Sequence, residues 1–407
     1  MKRVYLLGVI ITVILVIGVI AYYYSTILMV PGDPIVIGAA LPLTGVLGST
    51  GKQVQIGYET WLEAVNEKGG ISGRPVQMII YDDQSDPTST KSLYQKLVSV
   101  DNVDLLLGPY AASEALAAAP IAEQNNMVMI NPITASKALY ESDYEWQFKT
   151  TTGGGELVCQ PLFDLFDTLP SDAKPHTIAI AVAASEGFLP IAEEARNIAG
   201  NRSYEVVYYE VFPMTTADAT GIISNAKAKN PDVFIGLGYV QHDQLLLTTA
   251  YELGFKPKVL FFQTSSVYSF ITDLGEEVMN GVTHNVPFDY RLNYVGVEEF
   301  ANRVENKYGV SGKEIDSGAA TAYASCQLIE AAIKGTGGVN NTSIRNWLLS
   351  NTVDTVIGPW KVDQNAVARG VRYIPELRTT ISQWLNGYRE VVYPQELATE
   401  SFLYPIP

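Results

Sequence analysis

Few residues of this chain combine type and spacing suited to chemistry, and most of those lie in turns. Asp82, Asp83 and Asp86 cluster in YDDQSDPTST. Such a triplet can hold a hard cation or divide general-acid and general-base roles between carboxyls. The same spacing reads more simply as a strand-to-helix turn, with Asp86 as N-cap and Pro87 at the first helical position. The three histidines, His176, His242 and His284, lie at no metal-ligand spacing, and the chain has neither a G-x-S-x-G elbow nor a G-x-x-x-x-G-K-[ST] loop. Gly153–Gly155 lacks the spacing of a dinucleotide loop. Neither catalysis, nor a metal, nor a cofactor is expected.

Other turns suit binding. Gly108–Ser113 (GPYAAS) follows one apolar run and opens a helical pattern. The unpaired N–H groups of a helix start attract an anion such as a ligand carboxylate. In NPITASK, Thr134 and Ser136 offer hydroxyls at another strand end. Glu186, after a run ending at Val182, is either an acceptor for an ammonium or a solvated first-turn carboxylate. Tyr239, in GLGYVQ, either stacks on a ligand or fills core.

Elements able to position these turns alternate regularly. Strands are predicted at 34–41, 76–81, 103–107 and 127–130, with helices between them; Val54, Tyr58, Trp61, Leu62 and Val65 mark one helical face. After the polar, glycine-rich stretch Phe148–Gly155, strands at 177–182, 205–211, 233–237 and 258–262 alternate with helices again. The expected fold is α/β, two doubly wound parallel-sheet lobes whose strand C-termini face a closable cleft. Periodicity assigns the part beyond Asn285 to neither lobe.

The 407 residues exceed one comfortable core, which agrees with two domains. A net charge of −16 and no clustered Lys and Arg exclude a nucleic-acid partner. Cys159 and Cys326 sit in helical patterns and read as buried free thiols; the sequence leaves a disulfide open. At the N-terminus, Lys2 and Arg3 precede an apolar run from Val4 to Ala21, followed by three tyrosines. At 1.5 Å per residue this run reaches about 27 Å, enough to cross a bilayer with the body outside. It reads as an uncleaved anchor; a cleaved signal peptide shares its charged start, but no Ala-x-Ala site follows.

The ordered segments LPLTGVLGSTG (41–51), GGISGRPVQMIIYDDQSDPTSTKSLYQKLVSVDNVDLLLGP (69–109), INPITAS (130–136) and TVIGPWKVDQ (355–364) resemble the type I periplasmic binding proteins, in particular their leucine/isoleucine/valine-binding group. The resemblance runs from about Ile35 to about Gln383. It implies residues 1–34 as anchor and linker, 35–149 plus 285–375 as lobe 1, 150–284 plus 376–407 as lobe 2, and three crossings forming the hinge. It further implies an amino acid, branched-chain ones included, held in the cleft and delivered to an ABC transporter permease. The alternatives are urea or a short amide as ligand, or a ligand-sensing receptor subunit. By the same resemblance, Ala112, Ser113, Thr134 and Ala135, with Ser136 adjacent, hold the ligand carboxylate. Thr50, in the turn Gly48–Gly51, flanks the ligand side chain, and Tyr239 supplies the aromatic contact. The acidic residue that holds the ammonium in relatives aligns near Ser265, where no carboxylate exists, so that either Glu186 takes over that role or the ligand is not an α-amino acid. The expected location is the cell membrane, single-pass, with the binding domain extracytoplasmic.

Overall fold

The structure, a computed structural model, describes residues 32–134, 136–151, 158–368 and 380–406. Five parallel strands, β1 (Ile35–Leu41), β2 (Val76–Asp82), β3 (Leu105–Leu107), β4 (Met129–Asn131) and β5 (Gln147–Lys149), form a first sheet in the order β2-β1-β3-β4-β5. A second sheet holds β6 (Thr177–Ala183), β7 (Glu205–Phe212), β8 (Val233–Leu237), β9 (Val259–Phe262) and β10 (Thr283–Val286), again parallel, in the order β7-β6-β8-β9-β10. The two orders are the same winding used twice. Central strands such as β3 (LLL) and β8 (VFIGL) are buried throughout, because helices cover both faces of a parallel sheet.

The short pair β11 (Val353–Thr355) and β12 (Gly358–Trp360) is antiparallel. So is the hairpin β13 (Thr380–Leu385) and β14 (Tyr388–Tyr393), which joins the second sheet through β10. These four strands and β5 have no counterpart in the sequence reading, nor has β10. Three of them are only three residues long, and the buried Gln383 and Arg389 break the apolar pattern of β13 and β14.

The part of the chain beyond β10 divides between the sheets. Phe288, Phe300, Tyr323, Ile344 and Trp360 pack in one core with β1, β3 and the helix Gly48–Glu67, whereas Ile381 and Val392 pack with β6 and β8. Cys326 belongs to the former core and Cys159 to the latter, and both are free thiols. Burial pushes the Cys159 thiol up to about 12.

The Asp82–Asp86 triplet organises a turn. Asp82 accepts from the N–H groups of Leu43 and Thr44, and Asp83 from Ser85 N–H and Thr90 Oγ1. Asp86 caps the helix Pro87–Ser99 through the N–H groups of Thr88 and Ser89. No group of three His, Cys, Asp or Glu side chains among the described residues is placed to hold a metal ion.

The helix Gly48–Glu67 crosses the helix Ser317–Thr336 at Gly57, where an added Cβ would lie 2.1 Å from the Ala319 carbonyl oxygen. Gly57→Val must push the two helices apart. We expect it to cost about 1–3 kcal/mol, the usual range for overpacking, measured as a lower urea midpoint at an unchanged m-value.

Candidate functional site

The C-terminal ends of strands from both sheets line a cavity of about 160 Å³. The space suits a small solute. In each sheet the lining comes from turns near the point where the strand order reverses, the usual ligand position in doubly wound sheets.

Three helix starts converge on the first wall. Thr50 lies in the opening turn of the helix Gly48–Glu67, Ala112 begins the helix Ala112–Gln124, and Ser317 begins the helix Ser317–Thr336. Their unpaired N–H groups give this wall a positive potential. Glu114 moderates it, accepting from Ala111 N–H at 3.1 Å and Ser113 Oγ at 2.8 Å. Thr134 is buried, lines the cavity, and its Oγ1 has no hydrogen-bond partner among the described residues. Lys149, at the end of β5, is 2% exposed and also lines the cavity, with Nζ 5.6 Å from the centre of the Tyr140 ring. Burial lowers the Lys149 ammonium to about 7.

Aromatic and amide groups make the second wall. Phe188 follows β6 and meets Tyr239, which follows β8, edge to face at 4.9 Å between centroids. Burial pushes the Tyr239 hydroxyl up to about 12, and that of Tyr110 across the cavity higher still. Gln263 and Asn285 lie beyond the ends of β9 and within β10, two residues past the paired Phe261 and Thr283 and therefore side by side. Gln263 Oε1 and Asn285 Oδ1 are buried without partners among the described residues.

Of the nine residues expected at the site, Thr50, Ala112, Thr134 and Tyr239 line the cavity. Ser113 is turned to Glu114, and Ser136 Oγ accepts from Leu139 N–H. Glu186 is exposed, and its neighbours Gly187 and Phe188 line the cavity instead. Ser265 is buried and donates to Phe262 O, while Thr264 and Ser266 on either side face the cavity. Ala135 lies outside the described residues. Lys149, Gln263 and Asn285, with Tyr110, Thr151, Thr264, Ser266 and Ser317, are polar lining residues that the sequence reading passed over. The one available signal was a lysine inside the otherwise buried QFK run.

The nearby acids accept hydrogen bonds from their own turns, although Asp243 Oδ1 is buried with no partner among the described residues. Asp243 accepts from Thr264 N–H at 2.9 Å and Thr264 Oγ1 at 2.7 Å. Asp316 caps its helix through Gly318 N–H at 2.6 Å. Burial raises the pKa of both.

Comparison with known proteins gives one consistent result. The family model for periplasmic binding proteins matches residues 34–372. The Leu/Ile/Val-binding protein homolog 7 of Brucella melitensis is 22% identical over 384 residues, covering 90% of this chain and 93% of the relative. The Leu/Ile/Val-binding protein of Escherichia coli is 23% identical over 361 residues, covering 88% and 93%. Two solved structures share the fold. One is the branched-chain amino acid transporter substrate binding protein LivJ from Streptococcus pneumoniae in complex with isoleucine, at TM-score 0.75 and 20% identity, covering 88% of this chain and 98% of the other. The other is a solute binding protein from R. palustris in complex with 4-hydroxybenzoate, at TM-score 0.76 and 17% identity, covering 88% and 95%.

Proposed function

This chain belongs to the periplasmic binding protein family, and we propose that it is the extracytoplasmic solute-binding component of an ABC importer. The observation that carries this reading is a cavity lined from the strand ends of both sheets. Lobe 1 is 35–149 plus 285–375 and lobe 2 is 150–284 plus 376–407. Closure about the crossings between them buries the ligand and presents the closed surface to the permease. Binding is noncovalent, as the names of the relatives as binding proteins also suggest.

The ligand is a small carboxylate. Its anionic end lies against the helix starts at Thr50 and Ala112 and the hydroxyl of Thr134, and its apolar body against Phe188 and Tyr239. A branched-chain amino acid and an aromatic acid both answer that description, and relatives bind one or the other. Urea and short neutral amides leave the positive wall without an anion, and are second to carboxylates for that reason. The apolar run Val4–Ala21 lies outside the described residues, among which no helix is long and apolar enough to cross a membrane. In this reading that run tethers the binding domain to the outer face of the cell membrane.

The test is a thermal-shift panel on the full chain with amino acids, aromatic acids, urea and amides. A ligand at 100 times its Kd stabilises by about 2.7 kcal/mol, which raises Tm by several degrees. At least one carboxylate is expected to do so. A panel in which only urea or amides shift Tm would keep the binding function and overturn the carboxylate.

A further inference from the structure

We propose that His242 and Asp243 are positioning residues for the solute. This buried pair, in the first turn of one helix, fixes the turns after β7, β8 and β9 and through them the second wall of the cavity. This rests on the solute-binding reading above and names the groups that hold its wall in place.

The helix Val240–Glu252 opens with both side chains buried. His242 is bonded at each ring nitrogen. Tyr239 N–H can only donate, so Nδ1, 3.3 Å away, is the accepting nitrogen. The proton therefore sits on Nε2, which donates to Met214 O at 2.9 Å. Both contacts require the same tautomer, and together they join the turn after β7 to the turn after β8. The ring also packs against Phe212 and Tyr239, at 5.9 and 6.2 Å between centroids. Asp243, the next residue, holds the turn after β9, because its Oδ2 accepts from Thr264 N–H at 2.9 Å and Thr264 Oγ1 at 2.7 Å.

Tyr239 and Thr264 line the cavity, and Tyr239 meets Phe188, which follows β6, edge to face at 4.9 Å. One helical turn thus governs four neighbouring strand ends, β7-β6-β8-β9. Neither His242 nor Asp243 lines the cavity, so any effect of theirs on the solute passes through Tyr239 and Thr264. Gly238 shows how closely the turn is seated: an added Cβ would lie 2.6 Å from His242 Cβ and 3.3 Å from Asp243 Oδ1. A binding wall tolerates a drift of only about 0.5 Å before contacts with its ligand are lost. Conservative replacements follow from the same contacts. Gln at 242 keeps an acceptor for Tyr239 N–H, as in a capping box. Burial pushes the Asp243 carboxyl well above the usual carboxylate range, so the neutral Asn keeps the oxygen that holds Thr264.

The experiment is calorimetric titration of the full chain with isoleucine, 4-hydroxybenzoate and urea, and with any further compound that raises Tm in the panel above. It is repeated on His242→Ala, His242→Gln, Asp243→Ala and Asp243→Asn. We expect the compound that binds to lose about tenfold in affinity in each alanine variant, the worth of about one hydrogen bond, and to stay within about threefold in His242→Gln and Asp243→Asn. A side chain that only fills core would not be rescued in this way. If an alanine variant does not fold, Gly238→Ala takes its place: it deletes no contact but pushes the turn off His242, and the same loss is expected. Unchanged affinity in the alanine variants, or in Gly238→Ala where it stands in, would overturn the positioning role and leave the solute-binding reading in place. So would an equal loss in the conservative and alanine variants. No binding of any of these compounds to the unmodified chain would overturn both.

Discussion

Affinity for the carboxylate ligand falls about tenfold for each pH unit above 7, reaching about a hundredfold loss at pH 9. The cause is the protonation of Lys149. Burial has lowered its ammonium to about 7 in the unliganded cavity, so above that pH the site is increasingly neutral. A bound carboxylate favours the charged form and moves the Lys149 pKa upward, so binding takes up a proton over the interval between the two values. The sign follows: affinity is full below pH 7, declines as pH rises, and levels off only above the pKa of the complex. Burial keeps the hydroxyls of Tyr110, Tyr140 and Tyr239 protonated across this range. Burial likewise raises the carboxyls of Asp243 and Asp316 behind the walls. Titration calorimetry from pH 6 to pH 9 in buffers of different ionisation enthalpy measures both the slope and the proton uptake. A flat profile would show that Lys149 does not contact the anion.

The groups behind this prediction were the least legible part of the sequence, and the reason is geometric. Apolar runs such as PIVIGAAL and VFIGL declare buried parallel strands by composition, and Asp86-Pro87 declares a helix start by local chemistry. Each of those signals is complete within a few residues. Lys149 is different: QFK precedes a polar glycine-rich stretch, and only pairing of β5 with β4 brings the lysine under Tyr140 and into the cavity wall. Gln263 and Asn285, 22 positions apart, become neighbours only through the register of β9 with β10. Glu186 shows the converse. It is adjacent in sequence to a lining residue, yet its side chain is exposed, because the turn after β6 faces Gly187 and Phe188 inward. Thr50, Ala112 and Tyr239 were legible because strand ends feeding helix starts line doubly wound clefts whatever the ligand. Ligand class depends on which isolated polar side chains the topology places there, and no local pattern encodes that.

Arg389→Met should be the most destabilising single change among those that leave the cavity lining intact. Arg389 lies on β14, 7% exposed, and its guanidinium donates to three carbonyls: Ser266 at 2.8 Å, Lys313 at 2.7 Å and Ile315 at 2.9 Å. Ser266 follows β9 of the second sheet, whereas Lys313 and Ile315 lead into the helix Ser317–Thr336, which packs with the first. Ser266 and Ser317 themselves line the cavity, so this one side chain ties both walls from behind. Arg291 reinforces the join, pairing with Asp289 at 2.8 Å and with Glu390, next to Arg389, at 2.7 Å. Methionine fills much of the same volume but leaves three carbonyls without their donor, at about 1–3 kcal/mol each. The expected loss is therefore about 3 kcal/mol or more, with Tm lower by several degrees. Arg389→Lys retains the charge but not the planar fork that reaches carbonyls on both sides, and should fall between. Ligand affinity separates a strut from a simple core residue. If Arg389 sets the spacing of the walls, affinity falls at least tenfold in Arg389→Met at temperatures where the variant is still folded. Unchanged affinity in a less stable protein would confine Arg389 to holding β14 in its sheet.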